Sequence, residues 1–180
     1  DDSFYAESRC LNLEAVLEKA GQMVAEGATI LDFGASSSRP GSEPVGPEEE
    51  WKRLEPALSA VRKRWPGIEI SIDTTWSSVV SRAYDLVGDI WVNDISSGND
   101  DPQMLPLVGT LGLKYIAMHR RGDSKTMQSM TDYEDVVEDV IAFFKDFAVR
   151  AAENGVRNWI LDPGFGFAKT VSQNYQMMRN

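Results

Sequence analysis

Five times along this chain a short, β-branched run closes on a polar residue, and a helical segment follows. The runs cover residues 28–32, 68–73, 89–94, 114–119 and 158–162. Apolar stretches of that length between helices read as buried parallel strands joined by right-handed crossovers. Parallel α/β architectures gather their ligands at the carboxyl ends of the strands. The pattern therefore brings Asp32, Asp73, Asn93, His119 and Asp162 toward one surface. Separate turns have no packing reason to place carboxylate, amide and imidazole groups together.

Length narrows the fold. A closed eight-stranded βα barrel takes about 250 residues, and this chain has 180. The chain opens in a loop at Asp1 and stops inside a helix that begins near Thr170. The expectation is a TIM (β/α)8 barrel, here lacking its first strand and its last two βα units, with residues 1–180 as one partial domain. The alternative is an open doubly wound sheet, complete at this size.

No apolar run approaches the roughly 20 residues that cross a bilayer, and the amino terminus has no signal-peptide pattern. Cys10 is the only cysteine, so no intrachain disulfide or cysteine metal cluster can form, and a reducing cytoplasm is expected. A formal charge of -10 argues against nucleic acid or an anionic membrane as partner.

Helical periodicity predicts a first helix over about 12–26, capped by Asn12. A second starts at Pro47 with the acidic turn Glu48-Glu49-Glu50 and ends near Trp65. Residues 76–84 and a segment capped by Asp101-Pro102 follow, then the longest helix over 132–154. Two long polar loops, 34–46 and 120–130, interrupt these units, and loops of such length in compact domains usually serve function.

Asp162-Pro163-Gly164-Phe165-Gly166-Phe167 is the most specific string. It puts a carboxylate at a strand end, and its two glycines let the backbone approach a flat ligand closely. Phe167 can then lie against a ring face. The plainer alternative is a glycine-rich turn with a local Asp cap. Ile72-Asp73-Thr74 adds a second carboxylate, which alone reads equally as a helix cap, and Asn93 adds an amide that both donates and accepts. Together they suit a planar heterocycle bearing several N–H donors. Paired carboxylates also serve glycoside hydrolysis, but no tryptophan platform for sugar accompanies them. In the first long loop, Ser38 and Arg39 can hold phosphate or carboxylate oxygens, unless the loop is simply solvated. His119, Arg120 and Arg121 read as orienting or surface groups, Met118 as core or ligand wall, and Lys125 and Lys169 as solvated.

Taken in order, these strings resemble dihydropteroate synthase. Asp2-Ser3-Phe4 is similar to the end of that family's amino-terminal signature. Gly34 to Gly41 is similar to its Gly-Gly-Glu-Ser-Thr-Arg-Pro-Gly loop, with Ala35, Ser36 and Ser38 departing from it. Ile72-Asp73-Thr74, Asn93-Asp94-Ile95-Ser96, Met118-His119, Thr126-Met127-Gln128 and 162–167 follow the rest. The resemblance implies a pterin-binding barrel that joins p-aminobenzoate to a dihydropterin methyl diphosphate and releases pyrophosphate, a target of sulfonamides. By matched position, Asp73, Asn93 and Asp162 would hold the pterin, with Asp73 and Asp162 as the catalytic carboxylates and Met118 and Phe167 as walls. Ser38 and Arg39 would lie near diphosphate and p-aminobenzoate. The resemblance also implies Mg²⁺ and a homodimer. The family's metal-linked Asn would precede residue 1, and its pterin-site Lys and diphosphate-binding Arg and His would follow residue 180. This chain alone is therefore expected to be inactive. Two other functions compete: a pterin-binding methyltetrahydrofolate:corrinoid methyltransferase domain, against which a diphosphate-suited loop argues, and a non-catalytic pterin-binding module.

Overall fold

The five apolar runs form one sheet; four carry buried residues as expected, but the fifth leaves Trp159, Ile160 and Leu161 exposed because no further element covers them among the described residues. The computed structural model describes residues 12–36, 45–123 and 125–180. Strands β1 (Ile30–Gly34), β2 (Glu69–Asp73), β3 (Trp91–Asp94), β4 (Lys114–Met118) and β5 (Asn158–Asp162) form one sheet in the order β1-β2-β3-β4-β5. Every pair is parallel. Strand order follows chain order without reversal, so the switch point that defines a doubly wound sheet is absent among the described residues. The sheet is singly wound, as in a barrel.

Among the described residues six α-helices precede, connect or follow the strands: α1 (Leu13–Ala25), α2 (Pro47–Arg64), α3 (Ser77–Val87), α4 (Met104–Leu111), α5 (Val136–Glu153) and α6 (Val171–Arg179). Each packs on the next in sequence. One face of the sheet meets them. Leu31, Ile70, Ile72, Val92, Tyr115 and Ala117 bury against Leu54, Leu58, Val61, Val80, Val108 and Phe147 in a continuous core. Fully burying such side chains contributes about 1.5–3 kcal/mol each, which fixes the register, because a one-residue slip would turn the apolar set to the other face.

The caps explain where helices begin. Asn12 accepts from the Ala15 N–H (2.8 Å), and Pro47 opens α2 ahead of three glutamates, both as the sequence implies. Two starts differ. The fourth helix begins at Met104 and not at Pro102, because Asp101 is engaged elsewhere: one carboxylate oxygen accepts from the Gln103 N–H (2.9 Å) and the other from the Ser77 N–H of α3 (2.8 Å). Asp101 thus caps the helix before its own. The fifth helix begins at Val136 and not at Asp132, with Asp135 accepting from Val137 and Glu138. Residues 131 and 132 are held out of the helix by side chains that take their carbonyls, Gln173 on Thr131 (2.8 Å) and Arg121 on Asp132 (2.8 Å). With 18 residues, α5 equals α2 in length and does not exceed it.

Helix α4 lies so close to the α5–β5 connection that a Cβ on Gly109 would stand 1.8 Å from the Asn154 carbonyl oxygen. Both partners are backbone, so neither can rotate away. Gly109→Ala is expected to lower stability by about 1–3 kcal/mol or more, seen as a lower urea midpoint. An unchanged midpoint would show that the two elements can separate freely.

Candidate active site at the strand ends

Parallel partners share a face, so the register decides which polar groups meet. Gly34 pairs with Asp73 and Asp73 with Asn93. Asn93 pairs with Ile116, and Met118, two residues on, pairs with Asp162. Asp32 pairs with Ser71, two residues before Asp73. Asp32, Asp73, Asn93, Met118 and Asp162 therefore all stand on the face opposite the helical core. Neighbouring strands lie roughly 4.8 Å apart, so the set from Asp73 on β2 to Asp162 on β5 spans three spacings, about 14 Å along the sheet.

Close approach at the β1–β2 edge depends on Gly34. A Cβ there would stand 3.2 Å from Asp73 Oδ2 and 3.3 Å from its Cβ. Asn93 Nδ2 donates toward Asp32 Oδ2 at 3.4 Å, a long bond that leaves the amide free to reorient. Burial raises the Asp73 pKa well above the usual carboxylate range, and the charges of Asp32, Glu50 and Asp94 raise it further. Glu50 of α2 is itself raised by burial, against an opposing hydrogen bond from Thr74. Its Oε1 has no hydrogen-bond partner among the described residues.

Asp162 ends β5. Its Oδ1 accepts from the Gly164 N–H (2.8 Å), and its carbonyl accepts from the His119 N–H (3.0 Å). The turn that follows closes onto β4 because Gly164, at φ 67°, has no side chain: a Cβ would stand 2.1 Å from the His119 carbonyl oxygen. The same turn covers Met118, which is buried, while Phe167 is half-buried on its flank.

Several residues differ from the sequence expectation. Lys169 is buried and not solvated. Its Nζ donates to the carbonyls of His119 (3.3 Å), Gly164 (3.0 Å) and Phe167 (3.0 Å). His119 is likewise buried and not a surface group. Burial, aided by the Lys169 charge, lowers its pKa to about 4, so the imidazole is neutral near pH 7. Its ring packs edge-on against Phe143, with centroids 5.0 Å apart. Arg120 pairs with Asp100, and Arg121 pairs with Asp139 while lying 3.8 Å above the Tyr133 ring, so both arginines orient loops. Ser38 and Arg39 lie outside the described residues.

Asp94 is a further buried carboxylate, but it faces the helical core. It accepts from Tyr115 Oη (2.6 Å) and from the N–H groups of Ser96 (2.7 Å) and Gly98 (2.8 Å), tying the β3 end to β4. Serine and glycine two and four residues after an aspartate were the available signal for such a knot. No group of three or more His, Cys, Asp or Glu among the described residues is arranged to hold a metal ion. These residues do not fit Mg²⁺.

Known proteins resemble this chain in sequence and in fold. A family model described as pterin binding enzyme matches residues 1–180. The chain belongs to the pterin-binding enzyme family. Among curated members, the dihydropteroate synthase of Synechocystis is 39% identical over 99% of this chain and 62% of its own length. The folic acid synthesis protein fol1 of Schizosaccharomyces pombe is 43% identical over 88% of this chain and 22% of its own length. A Yersinia pestis dihydropteroate synthase, solved with a sulfonamide drug complex, superposes with a TM-score of 0.92 at 33% identity, covering 99% of this chain and 64% of that one. The singly wound sheet is accordingly part of a TIM barrel. The chain spans less than two thirds of the length of these pterin-binding relatives.

The raised proton affinity of Asp73 carries a stability consequence. The folded protein holds this proton to higher pH than the unfolded chain does. The group's contribution is therefore most favourable below the ordinary carboxylate range, near about pH 4, and is lost as pH rises through the raised folded value. Asp73→Asn is expected to raise the thermal midpoint at neutral pH and to flatten the decline of stability from about pH 4 upward, with roughly 2–4 °C gained per kcal/mol relieved. A lower midpoint at neutral pH would contradict the electrostatic origin of the shift.

Proposed function

We propose that the complete protein carrying this chain is a dihydropteroate synthase acting in folate biosynthesis, with residues 1–180 forming part of its one pterin-binding barrel domain. It joins a dihydropterin methyl diphosphate to p-aminobenzoate and releases pyrophosphate. The observation that carries this reading is the shared face of Asp73, Asn93 and Asp162 at the ends of β2, β3 and β5. The names of the relatives at 36–39% identity support it over the corrinoid methyltransferase alternative.

In this reading the two carboxylates accept N–H donors of the pterin ring, Asn93 both donates and accepts, and Met118 and Phe167 flank the ring. The reaction breaks the bond between the methylene carbon and the diphosphate oxygen. Positive charge then spreads over the electron-rich ring, where Asp73 and Asp162 stabilise it in a water-poor site. The amine nitrogen of p-aminobenzoate forms the new bond to carbon and gives up a proton. No enzyme nucleophile is required. Ser38 and Arg39 attend the diphosphate and the second substrate. The small-molecule partners, a homodimer and a cytoplasmic location belong to the same proposal. For the last, a lone cysteine and the absence of any helix among the described residues long and apolar enough to cross a membrane give support.

A pyrophosphate-release assay on the complete protein tests the proposal. Release that requires both substrates, with dihydropteroate as product, is expected. No release, or methyl transfer from methyltetrahydrofolate in its place, would overturn it. Within the active protein, Asp162→Asn is expected to weaken pterin binding at least tenfold, about 1.4 kcal/mol, by calorimetry. Arg39→Ala is expected to depress kcat while leaving pterin affinity nearly intact. Equal loss of both in that variant would place Arg39 at the ring and not at the diphosphate.

A further inference from the structure

We propose that Lys169 is a positioning residue of the pterin site: its buried ammonium grips three carbonyls and thereby fixes the turn that carries Asp162 and Phe167. The inference rests on the proposed reading of that site and adds a residue to it.

The geometry is unusual for a lysine. Only 4% of Lys169 is exposed. An ammonium has three N–H donors, and here each has a backbone carbonyl: Gly164 and Phe167 within the turn, and His119 at the end of the neighbouring strand. One cation thus joins the two ends of the turn to each other and to β4. With its donors used and its surface covered, Lys169 has nothing left to offer a ligand directly. It acts through the turn.

The turn needs such a clasp. Three of its residues adopt the left-handed region: Gly164 at 67°, Gly166 at 83° and Ala168 at 52°. Ala168 is wholly buried, and a side chain at that φ is strained, a conformation that persists only when its surroundings over-determine it. The Phe167 N–H donates to the Gly164 carbonyl (3.1 Å), the same oxygen that Lys169 holds. Outside the clasp, the Gly166 N–H reaches Asn174 Oδ1 (3.2 Å), and Gln128 reaches the Gly166 carbonyl only at 3.4 Å.

Burying a cation without a hydrogen-bonded carboxylate costs free energy unless dipoles replace water. Four charged or titratable groups face it: Asp162 at the β5 end, Asp139 on α5, Arg121 in the β4–α5 loop, and neutral His119. Burial lowers the lysine pKa to about 8 despite the two carboxylates, with Arg121 lowering it further. Discharge leaves an amine with two donors for three carbonyls, so the clasp loosens as pH rises through that value.

The test uses the complete protein and a pterin analogue in calorimetry. Lys169→Met keeps the apolar length and removes the donors. A folded K169M protein is expected to bind the pterin at least tenfold more weakly at pH 7, with KM for p-aminobenzoate little changed. The ratio of wild-type to K169M affinity should shrink toward one by about pH 9.5, because the wild type loses its own ammonium; ionisation of the ligand cancels in that ratio. Affinity within twofold of wild type at pH 7, or a ratio flat with pH, would overturn the inference. If K169M does not fold, amide exchange of residues 164–168 in the wild type decides. Acceleration between pH 7 and 9.5 beyond that of β2 and β3 peptides supports the clasp, and parallel behaviour overturns it. Wild-type protein that binds no pterin would instead refute the functional reading while the exchange result still reports on the clasp.

Discussion

Everything at the strand ends depends on a side chain that β1 lacks. Gly34 pairs with Asp73, and any Cβ at that position would press on the carboxylate. With the space empty, Asp73 settles among Asp32, Glu50 and Asp94, where burial and like charge favour its protonated form. A cluster of this kind opposes folding and stores a demand for positive charge or N–H donors. A ligand that brings either one relieves the demand on binding, so the same crowding that weakens the free fold strengthens a complex.

The helical face of the sheet supplies what the polar face spends. Leu58, Val61, Ile70, Ile72 and Val92 are fully buried, and Tyr115 stacks on Phe147 with centroids 5.7 Å apart. That core holds the parallel register, and the register in turn aligns Asp73, Asn93 and Asp162. Carboxylates on the two faces have different duties. Asp94, on the core side, is satisfied by Tyr115 and two backbone donors and knots β3 to β4. Asp162 takes one backbone donor through Oδ1 and stands at the rim.

How far the sequence disclosed this follows from the range of each interaction. All five strands were legible, because their signal is a local apolar run. The Asn12 cap and the Pro47 start were legible for the same reason, since each acts within four residues. The strand-end residues followed from topology. Asp101 misled, because its second carboxylate oxygen serves Ser77, 24 residues away. Lys169 misled more seriously. A lysine in a glycine-rich, polar segment reads as solvated, and only the fold-back of the turn onto His119, 50 positions earlier, encloses it. Buried polar groups whose partners are backbone carbonyls leave no pairing pattern in the side-chain sequence.

A crystal structure of the complete protein with a bound pterin tests the shared-face arrangement most directly. The ring is expected against the polar face of the sheet, with N–H groups at about 2.7–3.2 Å from Asp73 and Asp162 and the Asn93 amide on the same ring. A pterin seated elsewhere, or on that face with these three side chains out of reach, would contradict it.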